Sequence, residues 1–155
     1  MLLRHYQSSD TEFIGTLMIR SITELGSRYY NDRQIQAWLS KVPTPHQFDQ
    51  FCTDGRHVIL AANEFDRPLA FMDMEDDGHI DHLYCSPEFT GQGLATRIYS
   101  SVKQLAREQM MTGLFIEASE VVLPFFRNKG FTIRSRRKFE IGEVKIHNYS
   151  VEKFI

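Results

Sequence analysis

The spacing of the hydrophobic residues changes along this 155-residue chain, and that change limits the folds that it can adopt. Between residues 13 and 25 they recur at helical spacing, whereas from 57 to 85 they form short runs separated by turn residues. Beyond residue 93, helix and strand patterns alternate. Helices followed by three antiparallel strands and then by mixed elements predict one domain over 1–155, with a mixed α/β sheet.

Capping patterns predict where the first helices begin. In residues 9–12, Ser9 and Glu12 fit a capping box, and the segments 31–34 and 44–47 fit two more. Period-two and apolar runs predict the strands. The predicted strands are 2–6, 57–63, 68–74, 79–85, 114–117, 131–140 and 145–154.

Charge and cysteine content narrow the classes of partner. A formal net charge of −2 argues against bulk attraction to nucleic acid or to an anionic membrane. No apolar run approaches the length of a membrane span, and the first residues lack the apolar core of a signal peptide. Cys52 and Cys85 lie far apart without metal-ligand spacing, so we expect reduced thiols in a cytoplasmic protein.

Residues 86–97, Ser-Pro-Glu-Phe-Thr-Gly-Gln-Gly-Leu-Ala-Thr-Arg, join an apolar strand to a helix. Gly91 and Gly93 carry no side chain, so the backbone there can turn sharply and leave its amides uncovered. The first amides of a helix lack intrahelical partners, and the helix dipole favours negative charge beside them. The pattern lacks the third glycine of the dinucleotide fingerprint and the lysine of a Walker loop. By itself it indicates either a plain turn or an anion site.

Two motifs together resemble the GNAT superfamily of acyl-CoA-dependent N-acetyltransferases. The first is residues 83–95, Leu-Tyr-Cys-Ser-Pro-Glu-Phe-Thr-Gly-Gln-Gly-Leu-Ala, and the second is residues 125–131, Phe-Phe-Arg-Asn-Lys-Gly-Phe. The resemblance covers essentially the whole chain and is strongest to small stand-alone bacterial members. It implies the GNAT fold, a central, mostly antiparallel twisted sheet with splayed strands flanked by helices.

The same resemblance implies acetyl-CoA as co-substrate, with no metal. Backbone groups of the strand before the glycine turn would contact the pantetheine and thioester, and the amides of the turn would bind the pyrophosphate. Thr90 departs from the Gln or Arg that is usual there. The implied cofactor-binding residues are Leu83, Tyr84, Cys85, Thr90, Gly91, Gln92, Gly93, Leu94, Ala95, Thr96, Ser119 and Phe126.

Transfer to an amine requires a group that removes a proton from the ammonium, and a carboxylate or a histidine suits that task. Strand alternation predicts His79 and Asp81 on one face and His82 on the other. Asp81 is the preferred candidate because it lies two residues before the thioester-binding backbone, and His79 is the second. The full set of candidates is His79, Asp81, His82 and Glu117.

The departing thiolate needs a proton, and Phe126 stands where many family members carry a tyrosine proposed to supply it. Tyr149 or water would take that role. Tyr29, Tyr30 and Trp38 lie in the helical region that borders the acceptor site in this family, and we expect one or two of them to contact substrate and the rest to pack in the core.

These features predict a transferase that moves an acetyl group directly from acetyl-CoA to a primary amine of a small molecule or peptide. Two alternatives stay open at this point. One is a non-catalytic acyl-CoA sensor of the same fold, and the other is an interaction protein that uses the fold alone. Nucleic acid and membrane are not expected as partners, and a homodimer is left open.

Overall fold

The computed structural model describes all 155 residues and contains two antiparallel sheets. The first has the strand order β1-β2-β3-β4, in which each strand pairs with its neighbour in sequence. Its strands are β1 (Leu2–His5), β2 (His57–Ala62), β3 (Pro68–Met74) and β4 (Leu83–Cys85).

The second sheet has three strands in the order β5-β7-β6. They are β5 (Gly113–Ala118), β6 (Thr132–Ile141) and β7 (Val144–Phe154). The long central strand β7 pairs with both neighbours, whereas β6 is an exposed edge along most of its length.

Five α-helices flank the sheets, and none of them is long and apolar enough to cross a bilayer. α1 continues directly into a π-helical turn (Ser21–Leu25). The helices are α1 (Thr11–Arg20), α2 (Asp32–Leu39), α3 (Pro45–Cys52), α4 (Leu94–Glu108) and α5 (Leu123–Asn128).

Two of the three predicted capping boxes are confirmed. Asn31 and Gln34 exchange hydrogen bonds of 2.9 Å at the start of α2, and the box in segment 44–47 opens α3 in the same way. The box predicted for Ser9 and Glu12 is wrong. Asp10, buried in an ion pair with Arg4, accepts the Gln7 amide at 2.8 Å and so caps the chain two residues earlier.

β3 lies at the centre of the core, and all seven of its residues are buried. Its Met72 and Met74 side chains pack in the cluster formed with α4 and α5, whereas Phe71 packs with α1 and α3 on the other side. A strand covered on both faces is apolar along nearly its whole length, which explains the apolar run in its sequence. Asp73 is the one charged residue in that run.

The two sheets meet at a short junction. The Ile80 amide donates to the Phe115 carbonyl at 2.8 Å, and the Phe115 amide donates to the Gly78 carbonyl at 3.2 Å. Beyond this junction β4 and β5 belong to separate sheets, so the two strands splay apart, as the resemblance implies.

The strand predicted over 79–85 is therefore shorter than expected, since only Leu83–Cys85 is regular strand. The predicted alternation of faces is wrong for the same reason. The Asp81 and His82 side chains lie 3.7 Å apart on the same side, whereas His79 turns to other partners. Residues 80–82, between the junction and β4, are not regular strand, so their successive side chains do not alternate between two faces.

Candidate active site

A cavity of about 280 Å³ opens between the splayed strands β4 and β5. Leu83 and Tyr84 line one wall, and Ile116 and Glu117 line the other. Helix α1, its π-helical turn and helix α2 contribute further lining residues. The remaining lining residues are Met18, Ser21, Ile22, Gly26, Tyr30, Ile35, Trp38, Lys41, Val42, Asp81, His82, Ser119, Val121, Val122 and Asn148.

The glycine turn stands at the start of α4, directly after β4. Gly91 and Gly93 have φ values of +76° and +81°, which explains why glycine is needed at both positions. No atom lies within 4 Å of where a Cβ would stand on either residue, so the turn presents bare backbone to its surroundings. Helix α4, which has 15 residues, follows the turn directly, and the amides of its first turn, residues 94–96, have no intrahelical partners and lie next to this bare backbone.

Two polar side chains of this turn are bound within it. The Thr90 hydroxyl donates to the Pro87 carbonyl at 3.0 Å, and the Gln92 amide group donates to the Glu88 carbonyl at 3.1 Å. Any ligand at the turn would therefore meet backbone amides first. The departure at Thr90 from the usual Gln or Arg therefore leaves the backbone amides of the turn in place.

Asp81 lines the cavity, and its carboxylate is held by Arg56. Arg56 Nη1 donates to Asp81 Oδ2 at 3.0 Å and to Asp73 Oδ2 at 2.9 Å. Asp73, Asp81 and His82 present possible metal-ligand atoms within 4.8 Å of one another. In this structure the Arg56 guanidinium supplies the positive charge between Asp73 and Asp81, because it donates hydrogen bonds to both carboxylates.

His82, one of the four candidates named from the sequence, is held in this cluster by the buried Asp73. Its Nδ1 lies 2.9 Å from Asp73 Oδ2, and its backbone amide donates to Asp73 Oδ1 at 2.6 Å. Burial lowers the pKa of His82, but the charge of Asp73 and the hydrogen bond to it outweigh burial, so the pKa is raised above its usual 6.5. The sequence indicates this contact only through Asp73, a charged residue in an otherwise apolar strand, because a buried carboxylate requires hydrogen-bonding partners.

His79 lies beside the cavity wall and contacts it through Glu117. Its Nδ1 is 2.8 Å from Glu75 Oε1, its Nε2 is 2.6 Å from Glu117 Oε2, and its ring stacks on Phe115. Burial lowers the pKa of His79, but hydrogen bonds to Glu117 and Glu75 raise it above 6.5 overall. The imidazole thus holds Glu117, which itself faces the cavity.

Tyr149 does not line the cavity, because its hydroxyl is engaged elsewhere. It donates to Glu120 Oε1 at 2.8 Å, and His147 Nε2 lies 2.7 Å from the same oxygen. The hydrogen bond to Glu120 raises the pKa of Tyr149. Phe126 is fully buried between the rings of Phe125 and Phe131, where an apolar side chain is stable, and it has no exposed surface for a ligand to contact.

The remaining predicted residues divide between the cavity and its surroundings. Tyr30 and Trp38 line the cavity with their rings 6.1 Å apart, whereas Tyr29 lies outside it and is half exposed. Ser119 lines the cavity at the end of β5. Cys85 is half-buried outside it, and burial raises the pKa of its thiol to about 11.

The family model for the acetyltransferase (GNAT) domain matches residues 27–153 of this chain. The chain belongs to the GNAT acetyltransferase family. The match includes both splayed strands, the glycine turn and α4, and it contains every residue of the cavity lining except Met18, Ser21, Ile22 and Gly26.

Known proteins agree with this assignment. The uncharacterized N-acetyltransferase YafP of Escherichia coli (strain K12) is 26% identical to this GNAT chain over 136 residues, which cover 87% of the chain and 84% of YafP. A GCN5-related N-acetyltransferase from Rhodopseudomonas palustris matches the fold with a TM-score of 0.91, at 24% identity over 99% of this chain and 95% of that one. PaiA N-acetyltransferase from Thermoplasma acidophilum, solved with coenzyme A, matches with a TM-score of 0.79, at 13% identity over 99% and 98%.

Proposed function

We propose that this GNAT protein transfers an acetyl group from acetyl-CoA directly to a primary amine of a small molecule or peptide. The observation that carries the proposal is the cavity between two splayed strands, one of which, β4, leads along the chain into the glycine turn and the uncovered amides of α4. An elongated thioester with an anionic end fits that arrangement. Its pyrophosphate would meet the helix amides, and its acyl end would reach the cavity.

The acetyl donor is proposed to be acetyl-CoA, with the glycine turn as its pyrophosphate site. The PaiA structure contains coenzyme A, and that likeness in fold supports the placement. Backbone groups of Leu83 and Tyr84 stand at the edge of β4 that β5 does not cover. Those groups are suited to hydrogen-bond an extended pantetheine chain in the way that a paired strand would.

The acceptor is proposed to be an amine because the cavity combines apolar walls with carboxylates. Asp81 and Glu117 line it, while Trp38, Ile22 and Ile35 give it apolar surface. A carboxylate beside an apolar pocket binds an alkylammonium ion through its charge and the attached carbons through burial. The sequence predicts Asp81 as the group that removes the proton, and we propose that its carboxylate holds the ammonium.

Transfer is proposed to be direct because no activated nucleophile lies in the cavity. The Cys85 thiol is outside the lining and its pKa is raised to about 11, which keeps it protonated at neutral pH. Neither cysteine is paired in a disulfide, and we propose a cytoplasmic location on that ground.

Gly93→Glu tests the placement of acetyl-CoA. Position 93 has room for a Cβ, so the substitution adds a negative charge beside the proposed pyrophosphate site without a steric clash. We expect isothermal titration calorimetry to show acetyl-CoA binding at least tenfold weaker, which corresponds to about 1.4 kcal/mol. Gly142→Glu is the matched control, because Gly142 also has positive φ and open space but lies in the β6–β7 turn.

Equal acetyl-CoA affinities for Gly93→Glu and Gly142→Glu would contradict the site. The reaction itself is tested by thiol release from acetyl-CoA with a panel of primary amines. Release with at least one amine, together with an acetylated product in mass spectrometry, is the expected result. Tight acetyl-CoA binding without thiol release across a broad panel would instead favour a non-catalytic acyl-CoA sensor. The observation that supports this alternative is Phe126, whose side chain has no proton to donate to a thiolate.

A further inference from the structure

A buried carboxylate in β3 is directed at the cavity through a histidine. Asp73 is 1% exposed, and both of its oxygens are engaged. Oδ1 accepts the His82 backbone amide, while Oδ2 accepts Arg56 Nη1 and lies 2.9 Å from His82 Nδ1. An ionised carboxylate at this depth is stable only with such partners, so its geometry is closely fixed.

This arrangement determines which nitrogen of His82 faces the rest of the site. Because Asp73 accepts at Nδ1, the neutral imidazole carries its proton on Nδ1 and leaves Nε2 as the acceptor. Nε2 has no hydrogen-bond partner in the protein and is not sealed from solvent. His82 lines the cavity, and its ring is held among Phe48, Phe71 and Tyr84, each with a centroid 6.2 Å away.

We propose that His82, oriented by Asp73, is the general base that removes a proton from the acceptor ammonium. The inference rests on the proposed acetyl transfer and deepens it. A base must be oriented, uncharged at the working pH and within reach of the bound amine. His82 is oriented by Asp73, and its place in the cavity lining puts it within reach of a bound amine.

The proposed step balances as follows. The lone pair of Nε2 takes one proton from the ammonium, and the freed amine forms a bond from nitrogen to the thioester carbonyl carbon. The bond from that carbon to sulfur breaks, and the second proton lost from nitrogen neutralises the departing thiolate. The imidazolium, stabilised by Asp73, then returns its proton to water.

Asp81 takes a different role in this arrangement. Its carboxylate is 3.7 Å from His82 Nδ1 and accepts Arg56 Nη1, so it is a fixed negative charge beside the base. That charge attracts the ammonium and also raises the pKa of His82. The charged or titratable groups around His82 are Asp73 of β3, Arg56 before β2, Asp81 beside it, Tyr84 of β4, Glu117 of β5 and Lys41 after α2.

His82→Gln is the first test, with His46→Gln as control because His46 is exposed on α3 and outside the cavity. With an amine that the wild-type protein acetylates, His82→Gln should lower kcat/KM at neutral pH by about 10²- to 10⁴-fold. The loss should shrink as pH rises and free amine becomes abundant. Acetyl-CoA affinity by calorimetry and the far-ultraviolet circular dichroism spectrum should match those of the control.

Asp73→Asn separates a positioning role from a purely structural one. It removes the charge that raises the His82 pKa, so the ascending limb of the kcat/KM profile should move to lower pH. A structural role alone would lower stability without moving that limb. The tautomer is read independently on wild-type protein by long-range ¹H–¹⁵N NMR of the imidazole nitrogens, where neutral His82 should carry its proton on Nδ1.

Three results would overturn the inference. One is a fall in kcat/KM of less than about threefold for His82→Gln, far below the range of a general base. Another is a pH-dependent loss in Asp81→Asn or Glu117→Gln that His82→Gln does not show. The third is a neutral His82 that carries its proton on Nε2 in the NMR spectrum. This measurement does not depend on enzyme activity. Failure of the proposed acetyl transfer has a different signature, namely no thiol release from the wild-type protein with any amine.

Discussion

Replacing Gly78 by alanine adds one methyl group at the junction from which the two sheets diverge. Gly78 has φ +90°, and a Cβ built there would lie 2.3 Å from the Gly113 carbonyl oxygen. The Gly78 carbonyl also accepts the Phe115 amide, one of the two hydrogen bonds of the junction. The neighbour is backbone and cannot rotate away, so the two strands must separate to admit the methyl group.

The magnitude follows from two contributions. Positive φ costs an alanine about 1–2 kcal/mol. Separating the strands weakens the hydrogen bonds from Phe115 to Gly78 and from Ile80 to Phe115, each worth about 1 kcal/mol. The total is about 3–4 kcal/mol, and in a domain of this size each kcal/mol lowers Tm by about 2–4 °C. We therefore expect Gly78→Ala to lower Tm by about 6–16 °C.

Gly142→Ala provides the matched comparison, since it removes a glycine with φ +59° that has no atom within 4 Å of a new Cβ. It carries only the φ contribution of about 1–2 kcal/mol, so its Tm should fall by about 2–8 °C. Thermal unfolding followed by circular dichroism compares the two variants. Equal Tm losses would refute the reasoning, because the contact with Gly113 would then carry no cost. Acetyl-CoA binding below Tm should weaken only in Gly78→Ala, since the cavity begins beyond this junction.

Three further predictions follow from individual side chains. Tyr149→Phe removes a hydrogen bond to Glu120 worth about 1 kcal/mol, so Tm should fall by a few degrees with kcat unchanged, and a drop in kcat would restore Tyr149 as the acid. Trp38→Phe removes a buried Nε1–H that has no partner, so urea unfolding should give a stability within about 1 kcal/mol of wild type, and a raised KM for the amine would identify the N–H as a substrate contact. The raised pKa of His82 adds stability that is present below pH 6.5 and is lost as pH rises through the folded-state pKa, whereas the lowered pKa of Asp73 adds stability that is lost as pH falls below 3.8. The unfolding free energy should therefore be greatest between those limits, and Asp73→Asn should flatten its decline above pH 6.5.

The sequence predicted the parts of the fold that short segments determine. The sequence predicts β3 at residues 68–74 because a short run that is apolar apart from Asp73 and is bounded by turns is typical of a buried strand. The boxes that begin α2 and α3 were placed correctly because both partners lie within three residues. The glycine turn was located for the same reason, since positive φ at Gly91 and Gly93 is a local demand.

The predictions that were wrong concern contacts between distant residues. Asp10 displaced the predicted first cap because Arg4, from the neighbouring strand, binds it. The alternation across 79–82 was wrong because residue 82 is bound by Asp73, nine positions earlier in another strand. The spacing of residues 79–85 cannot predict the contact between His82 and Asp73. The carboxylate of Asp73 in the apolar run of β3 indicates only that this residue has a partner.

The same contact links the fold to the site. The Asp73 carboxylate accepts the His82 backbone amide, and the carbonyl of residue 82 accepts the Asp73 amide, so this segment is tied to β3 rather than to β5. Two residues earlier, Ile80 is still hydrogen-bonded to β5. The change of partner between Ile80 and His82 is therefore where the two strands separate and where the cavity begins. A residue at this point is fixed by one sheet and faces the gap left by the other, and this is the position that we propose for the group that accepts the proton from the amine.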